Sequence, residues 1–156
     1  MTLSLFVDLL CPVGTQRLLR PVVAGRYSTV MVSKKVNLFV YGTLLQGEPF
    51  HHLLGGAPLL QSLRSPPEFT LVNLGEYPGM LEGGDTAIYG EIYEIDEALL
   101  PTLDEYEDCP TLYYRRSVSF QNGISAITYL LQPSPRTFPA IASGDWREVS
   151  ETLPQH

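Results

Sequence analysis

The segment Thr86–Ile95, TAIYGEIYEI, carries the clearest secondary-structure signal in the chain. Its residues divide between two faces, with Ile88, Gly90, Ile92 and Glu94 on one and Ala87, Tyr89, Glu91, Tyr93 and Ile95 on the other. Alternation over this length predicts a β-strand, because successive side chains of a strand point to opposite faces. We therefore expect a sheet that contains this segment.

Segments with strand character lie on both sides of it. We predict strands at Val36–Tyr41, Leu59–Leu63, Phe69–Leu74, Leu112–Phe120 and Ile124–Leu131. The last two flank Gln121-Asn122-Gly123. Asn-Gly between two strands predicts a hairpin, because both residues tolerate positive φ.

Two short helices are predicted between the strands. Pro49–Leu54 can form one, with proline in its first turn and Gly55-Gly56 at its end. Asp96–Asp108 forms the other, with Asp96 as its N-cap and with a division at Pro101. At least five strands and about two short helices predict an α+β fold, built on a small, mostly antiparallel β-barrel with flanking helices.

Composition is typical of a single globular domain. The 156 residues are 44% hydrophobic and 17% charged, which excludes a disordered chain. Cys11 and Cys109 are too few for a disulfide scaffold or a cysteine-based zinc site, so we expect a reducing, cytoplasmic location. No apolar stretch reaches the roughly 20 residues that span a bilayer, so no membrane association is expected.

Charge is distributed unevenly along the chain. Residues 1–35 contain five basic residues and one acidic residue, whereas the rest contains five basic and 16 acidic residues. An acidic body argues against nucleic-acid binding, which depends on Lys and Arg. We expect residues 1–35 to be an extension outside the core, either a targeting presequence or, as we favour, sequence upstream of a start at Met31. Residues 36–147 would then form the domain and residues 148–156 a polar tail.

The first candidate site is Tyr41-Gly42-Thr43-Leu44, at the end of the first predicted strand. Glycine permits positive φ, so consecutive backbone N–H groups can turn outward and form an anion-binding nest. The alternative is a tight strand exit at which Gly42 only turns the chain. The four residues alone favour that alternative.

The second candidate site is the acidic segment Asp104–Asp108. Four carboxylates in five positions repel one another, which raises the pKa of the least solvated one and suits it to general acid/base catalysis. Leu100, Leu103 and Glu107 share one helical face, so Glu107 can lie along the apolar side, whereas Glu105 faces water. The alternative, favoured by the segment alone, is a solvated helix end.

The third candidate is Tyr113-Tyr114-Arg115-Arg116, which opens the next predicted strand. Tyr113 and Arg115 fall on one face of that strand. A cation at this position can pair with Glu107 or with a substrate carboxylate. The alternative is a surface strand of aromatic residues and solvated arginines.

Two further groups are not expected to take part in catalysis. His51-His52 has no carboxylate or cysteine at metal-ligand spacing, so no metal site is predicted. Cys109 with a distant histidine could form a nucleophile pair, but its acidic neighbours disfavour the thiolate.

Five stretches carry a family resemblance. They are Tyr41-Gly42-Thr43-Leu44, Tyr77-Pro78-Gly79, Tyr89-Gly90-Glu91-Ile92-Tyr93, the spacing Leu-Asp-x-x-Glu-x-x-Pro-x-x-Tyr-x-Arg from Leu103 to Arg115, and Gly144-Asp145-Trp146-Arg147. In order and in spacing they resemble the γ-glutamylcyclotransferase-like family from about Val36 to Arg147. The γ-glutamylamine cyclotransferases are the most similar branch. The resemblance implies a small β-barrel with flanking helices.

The resemblance also implies a reaction and its residues. The catalytic acid/base falls on Glu107 and the substrate-binding loop on Tyr41, Gly42, Thr43 and Leu44, beside which we place Tyr113 and Arg115 as substrate-binding residues. The α-amine of a γ-glutamyl amide would attack its own γ-carbonyl, releasing 5-oxoproline and a free amine. This lyase- or acyltransferase-type reaction needs no metal, cofactor or covalent intermediate, and its small-molecule substrate would bind to a monomer or homodimer.

The chain departs from the family pattern in three places. Asp108 replaces a frequent glycine and adds a negative charge beside the acid/base. Leu45 stands where arginine often follows, and we expect it to alter the side from which the substrate leaves. The N-terminal segment is additional.

Several functional alternatives stay open on the sequence. The substrate can be a γ-glutamyl-α-amino acid, a γ-glutamyl-ε-lysine isopeptide or a γ-glutamyl-protected aminoglycoside of butirosin antibiotic biosynthesis. The acidic body favours a cationic leaving amine, hence the last two. A non-catalytic binding barrel is the main competitor, against which Glu107 and the Tyr41–Leu44 motif argue, and a hydrolase based on Cys109 is the third.

Overall fold

The computed structural model describes residues 32–154. Most of the predicted N-terminal extension, residues 1–31, lies outside the described residues, as do residues 155–156. The strands are β1 (Lys35–Val40), β2 (Leu59–Arg64), β3 (Phe69–Asn73), β4 (Pro78–Glu82), β5 (Tyr89–Asp96), β6 (Tyr113–Ser119) and β7 (Ser125–Leu131). The α-helices are α1 (Leu100–Tyr106) and α2 (Arg147–Ser150), and 3-10 turns form at His51–Leu54 and Glu97–Leu99.

The strands form a five-stranded sheet in the order β2-β5-β1-β7-β6 and a two-stranded sheet of β3 and β4. Neighbouring strands are antiparallel except β1 and β7, which are parallel. The larger sheet is curled. The side chain of Asn122, between β6 and β7, donates a hydrogen bond of 2.6 Å to that of Gln61 in β2, the opposite edge strand. The predicted α+β fold, with mostly antiparallel strands and two short helices, is confirmed.

The central strand β1 separates two apolar clusters. Leu38 and Val40 belong to one, which also holds Leu103 of α1, and Phe39 belongs to the other, which holds Trp146. Alternate residues of a strand face opposite sides, so both faces of β1 are covered. The turn that follows β1 is therefore attached to the most buried part of the fold.

The strand predicted at Thr86–Ile95 is β5, and both of its faces are buried. Ile92 packs in the cluster of Phe39, and Tyr93 packs in the other. A Cβ on Gly90 would lie 2.4 Å from the Phe39 ring and from the carbonyl oxygen of Val40. Glycine is therefore required where β5 approaches β1 most closely.

Three local details differ from expectation and one agrees with it. Strand β4, PGMLE, was not predicted, because proline and glycine are depleted in strands; Pro78 is tolerated as its first residue. The helix predicted at Asp96–Asp108 is divided, as expected, into the 3-10 turn Glu97–Leu99 and α1, and Pro101 lies in the first turn of α1, where no N–H donor is needed. Asp96 makes no side-chain capping bond and instead pairs with Lys35 Nζ at 3.0 Å. The β6–β7 hairpin forms as predicted, but only Gly123 has a positive φ, of 87°.

The C-terminal elements extend beyond the predicted domain boundary. Helix α2 covers Arg147–Ser150, and the partly buried Val149 and Leu153 pack against the cluster of Phe39. The segment 148–156 that we predicted as a polar tail thus begins inside α2. None of the helices in residues 32–154 is long and apolar enough to cross a membrane.

Candidate active site

The turn after β1 is held by Tyr41. Its hydroxyl donates a 2.7 Å hydrogen bond to the carbonyl of Tyr129 and accepts one of 3.2 Å from the N–H of Met80. The turn closes through a 3.0 Å bond from the N–H of Leu45 to the carbonyl of Gly42. The buried Tyr41 side chain thus attaches the turn to β7 and β4 and does not extend into solvent.

Gly42 is required for a different reason than expected. Its φ is not positive, so the expectation that glycine supplies a left-handed conformation here is wrong. A Cβ at this position would lie 2.6 Å from Cγ and 2.9 Å from Cδ of Pro78. Only glycine lets the turn lie directly against the Pro78 ring.

The turn presents unused backbone donors. Within residues 32–154, the N–H groups of Gly42, Thr43 and Leu44 have no hydrogen-bond acceptor. Gly42 and Leu44 are buried, and a buried donor without an acceptor costs about 1–3 kcal/mol. Such a group of donors is typical of a site that receives a ligand oxygen.

Glu107 lies at the C-terminal end of α1, next to this turn. Leu100 and Leu103 are buried on the same helical face, as their spacing predicted, and Glu107 is half-buried. Burial raises the pKa of its carboxyl from 4.5 to about 7. The raised pKa was predicted, but its cause is burial and not repulsion among the neighbouring carboxylates.

Tyr106, the residue before Glu107, connects the end of α1 to the turn. Burial raises the pKa of Tyr41, Tyr106 and Tyr113, and the charge of Glu107 adds to the effect at all three. The hydroxyl of Tyr106 shares a 2.8 Å hydrogen bond with that of Thr43 in the turn. The first and second candidate sites therefore lie side by side, although about 60 residues separate them in the sequence.

Arg115 does not pair with Glu107. Its Nε lies 3.0 Å from Oδ1 of Asp104, which also accepts a 2.7 Å hydrogen bond from Tyr129. Within residues 32–154, the carboxyl of Glu107 has no hydrogen bond and no ion pair. Of the two partners considered for Arg115, Glu107 is thus not one, because the arginine pairs with Asp104 of the same acidic segment.

Tyr113 supports the turn indirectly. It is buried, and its hydroxyl donates a 2.6 Å hydrogen bond to the carbonyl of Pro78. Because the Pro78 ring lies against Gly42, Tyr113 helps to fix the wall on which the turn rests. It was predicted as a substrate-binding residue, whereas its hydroxyl is engaged with the protein.

Three other sequence expectations concern neighbouring residues. Leu45 is fully buried in the core, so it does not line an exit for the substrate. Burial, followed by the charge of Asp104, raises the pKa of the Cys109 thiol, which disfavours a nucleophilic thiolate. Asp108 has a φ of 52°, the conformation that favours glycine.

Glu91 and Arg147 also belong to this region, although neither was predicted as a site residue; both lie in stretches that carry the family resemblance. Glu91 is 3% exposed and accepts a hydrogen bond from the N–H of Gln46, directly after the turn. The signal available in the sequence was Glu91, because alternation puts this carboxylate on the same strand face as Tyr89, Tyr93 and Ile95. Their roles could not be read from the sequence, because they depend on contacts between distant segments.

Other candidate sites carry less chemistry. Among residues 32–154, no group of three or more His, Cys, Asp or Glu side chains could hold a metal ion. A surface cavity of about 560 Å³ lies between Phe69, Glu82 and Arg116, away from Glu107 and the turn. Glu82 and Arg116 in its lining are paired with each other, and Glu68 lines it as well.

Comparison with known proteins identifies relatives of this site. The family model described as gamma-glutamyl cyclotransferase, AIG2-like, matches residues 38–148. Gamma-glutamylaminecyclotransferase A of Danio rerio is 36% identical in an alignment of 112 positions, gaps included, that covers 64% of this chain and 70% of that protein. The gamma-glutamylcyclotransferase family protein YtfP of Escherichia coli is 35% identical over 111 residues, which are 71% of this chain and 96% of that protein. The crystal structure of an AIG2-like protein from Mus musculus has a TM-score of 0.62 at 30% identity, and covers 71% of this chain and 88% of that one.

Proposed function

The chain belongs to the gamma-glutamyl cyclotransferase, AIG2-like family, and we propose that it converts a γ-glutamyl amide into 5-oxoproline and a free amine. The observation that supports this most directly is the position of Glu107. A half-buried carboxyl with a pKa of about 7 lies beside a turn with unused N–H donors. That pair of features provides a proton carrier and an anion site for one small substrate.

The reaction is an intramolecular aminolysis. The α-amine of the γ-glutamyl group attacks the γ-carbonyl carbon, the new C–N bond closes the five-membered ring, and the bond to the leaving amine breaks. Because the nucleophile is tethered, holding it in the reactive geometry can supply much of the roughly 7–11 kcal/mol attributed to proximity. The protein then needs chiefly to orient the substrate and to move protons.

Glu107 can move both protons in turn. As a carboxylate it accepts a proton from the substrate's α-ammonium group, and as a carboxylic acid it donates one to the departing amine. A pKa near the operating pH makes both forms available.

The turn would bind the substrate's α-carboxylate or the developing oxyanion. The donors are the N–H groups of Gly42, Thr43 and Leu44. Arg115, whose side chain is 41% exposed beside Asp104, adds positive charge that can attract a substrate carboxylate. Tyr41 and Tyr113 act in this proposal as supports of the turn.

We infer that the leaving amine is cationic. The chain has a net charge of −7, and several vertebrate relatives are named γ-glutamylamine cyclotransferases. Negative potential attracts a cationic substrate and disfavours a dianion. A γ-glutamyl-ε-lysine isopeptide and a γ-glutamyl-protected aminoglycoside intermediate fit this requirement better than γ-glutamyl-α-amino acids.

The acid/base assignment is tested with Glu107→Gln. We expect 5-oxoproline release to fall by about 10²–10⁴-fold while the fold and substrate binding stay intact. The matched control is Glu105→Gln, which removes an exposed carboxyl two positions away and should keep full activity. Retention of most activity by Glu107→Gln would remove Glu107 from the mechanism.

The substrate assignment is tested by comparing kcat/KM for γ-glutamyl-ε-lysine, a γ-glutamyl aminoglycoside and γ-glutamylalanine. We expect one of the first two to be preferred. Binding of these compounds without formation of 5-oxoproline would instead support a non-catalytic binding protein. Loss of activity in Cys109→Ser would support a cysteine hydrolase, and we expect no such loss.

A further inference from the structure

The buried carboxylate of Glu91 is surrounded by donors from three segments. Its Oε2 accepts hydrogen bonds from the N–H of Gln46 at 2.9 Å and from the hydroxyl of Tyr93 at 2.7 Å. Its Oε1 lies 3.2 Å from Nη2 of Arg147, at the start of α2. Only Arg147 among these partners carries a charge, so Glu91 and Arg147 form an ion pair whose carboxylate is buried and whose arginine side chain is 32% exposed.

The same ion pair holds both backbone polar groups of Gln46. Glu91 accepts from its N–H, and Nη2 of Arg147 donates to its carbonyl over 2.6 Å. The guanidinium of Arg147 also lies 5.7 Å from the centre of the Tyr89 ring, which restricts its position. Gln46 is itself exposed and lies outside any helix or strand. Its backbone N–H and carbonyl are therefore bonded to these two side chains and not to a neighbouring strand.

Gln46 directly follows the turn that carries the unused N–H groups. The turn begins at Tyr41, whose hydroxyl is bonded to Tyr129 and Met80, and it ends at Gln46. One end is thus bonded to the neighbours of β1 and the other end to the Glu91–Arg147 pair. Between them, the carbonyls of Thr43 and Leu44 accept hydrogen bonds from the N–H of Phe50 at 3.1 Å and from Nδ1 of His51 at 2.8 Å. No other side chain in residues 32–154 bonds to the backbone of Gln46.

We propose that Glu91 and Arg147 are positioning residues that fix the turn at Gly42–Leu44 for the substrate's carboxylate. This inference rests on the proposed function for the identity of the ligand. Donors that are already oriented bind an anion without paying for their own ordering. Breaking the ion pair should release Gln46. Substrate binding would then have to order the turn as well, so KM should rise.

The kinetic test uses Arg147→Met and the double variant Glu91→Gln/Arg147→Met, which leaves no unpaired buried charge if the single variant fails to fold. We expect KM to rise about tenfold or more while kcat per folded molecule changes little, since Glu107 is untouched. Arg147→Lys should restore part of the affinity, because it keeps the charge but cannot hold Glu91 and Gln46 together as well. A purely structural role would lower the folded fraction and hence the apparent kcat at unchanged KM, and that result would overturn the proposal.

The control is Glu48→Gln. Its carboxylate accepts a 3.0 Å hydrogen bond from Ser150 of α2, so the variant weakens another link between α2 and the same loop without touching Gln46. We expect its KM to equal that of the unmodified protein. An equal rise of KM in Glu48→Gln would show that general loosening of α2 is responsible and would overturn the proposal.

A second measurement does not require activity. Amide hydrogen exchange followed by nuclear magnetic resonance should become at least tenfold faster at Gln46 in the double variant than in Glu48→Gln, with changed resonances at Gly42–Leu44. Unchanged exchange and resonances would overturn the positioning role whether or not 5-oxoproline forms. Failure of the unmodified protein to form 5-oxoproline would overturn only the proposed function.

Discussion

Glu107 links the burial of a single carboxyl to the pH dependence of stability. Its pKa is about 7 in the folded protein and near 4.5 when exposed, so folding takes up a proton between these pH values. The free energy of unfolding should therefore decrease as pH rises from about 4.5 to 7, by at most about 3 kcal/mol. Urea denaturation across this range measures the decrease.

The comparison with Glu107→Gln isolates this carboxyl. The variant cannot ionise at position 107, so its free energy of unfolding should lose less on going from pH 4.5 to 7 than that of the unmodified protein. Glu105→Gln, at an exposed position, should follow the unmodified protein. Parallel curves for Glu107→Gln and the unmodified protein would contradict the raised pKa.

Gly42→Ala tests whether close approach is the reason for glycine. The added Cβ would collide with the Pro78 ring, so we expect a loss of about 1–3 kcal/mol in the free energy of unfolding and at least a tenfold loss in kcat/KM. Pro78→Ala in the same background removes the colliding atoms and should recover part of both losses. Absence of recovery in the double variant would show that another constraint applies at Gly42.

At the scale of the element, α1 is followed by a residue in the left-handed backbone conformation. Asp108 has a φ of 52° directly after Glu107, a conformation that β-branched residues strongly disfavour. Asp108→Val should lower the free energy of unfolding by about 1–3 kcal/mol, whereas Asp108→Gly should change it by less than about 1 kcal/mol. Urea denaturation of the three proteins distinguishes these values.

The control for this prediction is Glu105→Val, an exposed position inside α1 with ordinary helical geometry. It should cost less than about 0.7 kcal/mol, from helix propensity alone. If Asp108→Val cost no more than Glu105→Val, the conformation at Asp108 would not limit stability.

Elements whose periodicity reflects burial could be predicted from the sequence. Alternation identified β5, and the i, i+3, i+7 spacing placed Glu107 on the buried face of α1 with Leu100 and Leu103. Strand β4 could not be predicted, because its Pro-Gly start opposes strand propensity and its pairing with β3 decides the conformation. A local sequence pattern thus indicates a strand or helix only where the burial of that element's own side chains determines its conformation.

Candidate site residues could be named from the sequence, and their roles stay predictions, but their geometry could not be derived from it. The motifs named Gly42 and Glu107, yet the contact of Gly42 with Pro78 and the pairing of Arg115 with Asp104 appear only in the folded protein. The Glu91–Arg147 pair joins residues 56 positions apart. No pattern within one segment records such a contact.

At the scale of the whole molecule, the net charge of −7 should affect the choice of substrate. We expect kcat/KM for the γ-glutamyl amide of 1,4-diaminobutane, whose leaving group is cationic, to decrease as salt is raised. The screening length falls from about 30 Å at 0.01 M to about 8 Å at 0.15 M ionic strength, so long-range attraction weakens. The amide of butylamine, which lacks the second amine, should respond less, and equal salt dependence of the two would contradict the charge argument.

The central place of β1 has a consequence for biosynthesis. Its neighbours in the sheet are β5 and β7, and the carbonyl of Phe39 accepts a hydrogen bond from Thr128, 89 positions later. A ribosome adds about 5–20 residues per second, so the nascent β1 waits roughly 5–18 seconds for β7. During that interval the edge of β1 that pairs with β7 has no partner strand, while β5, its other neighbour, is already synthesised.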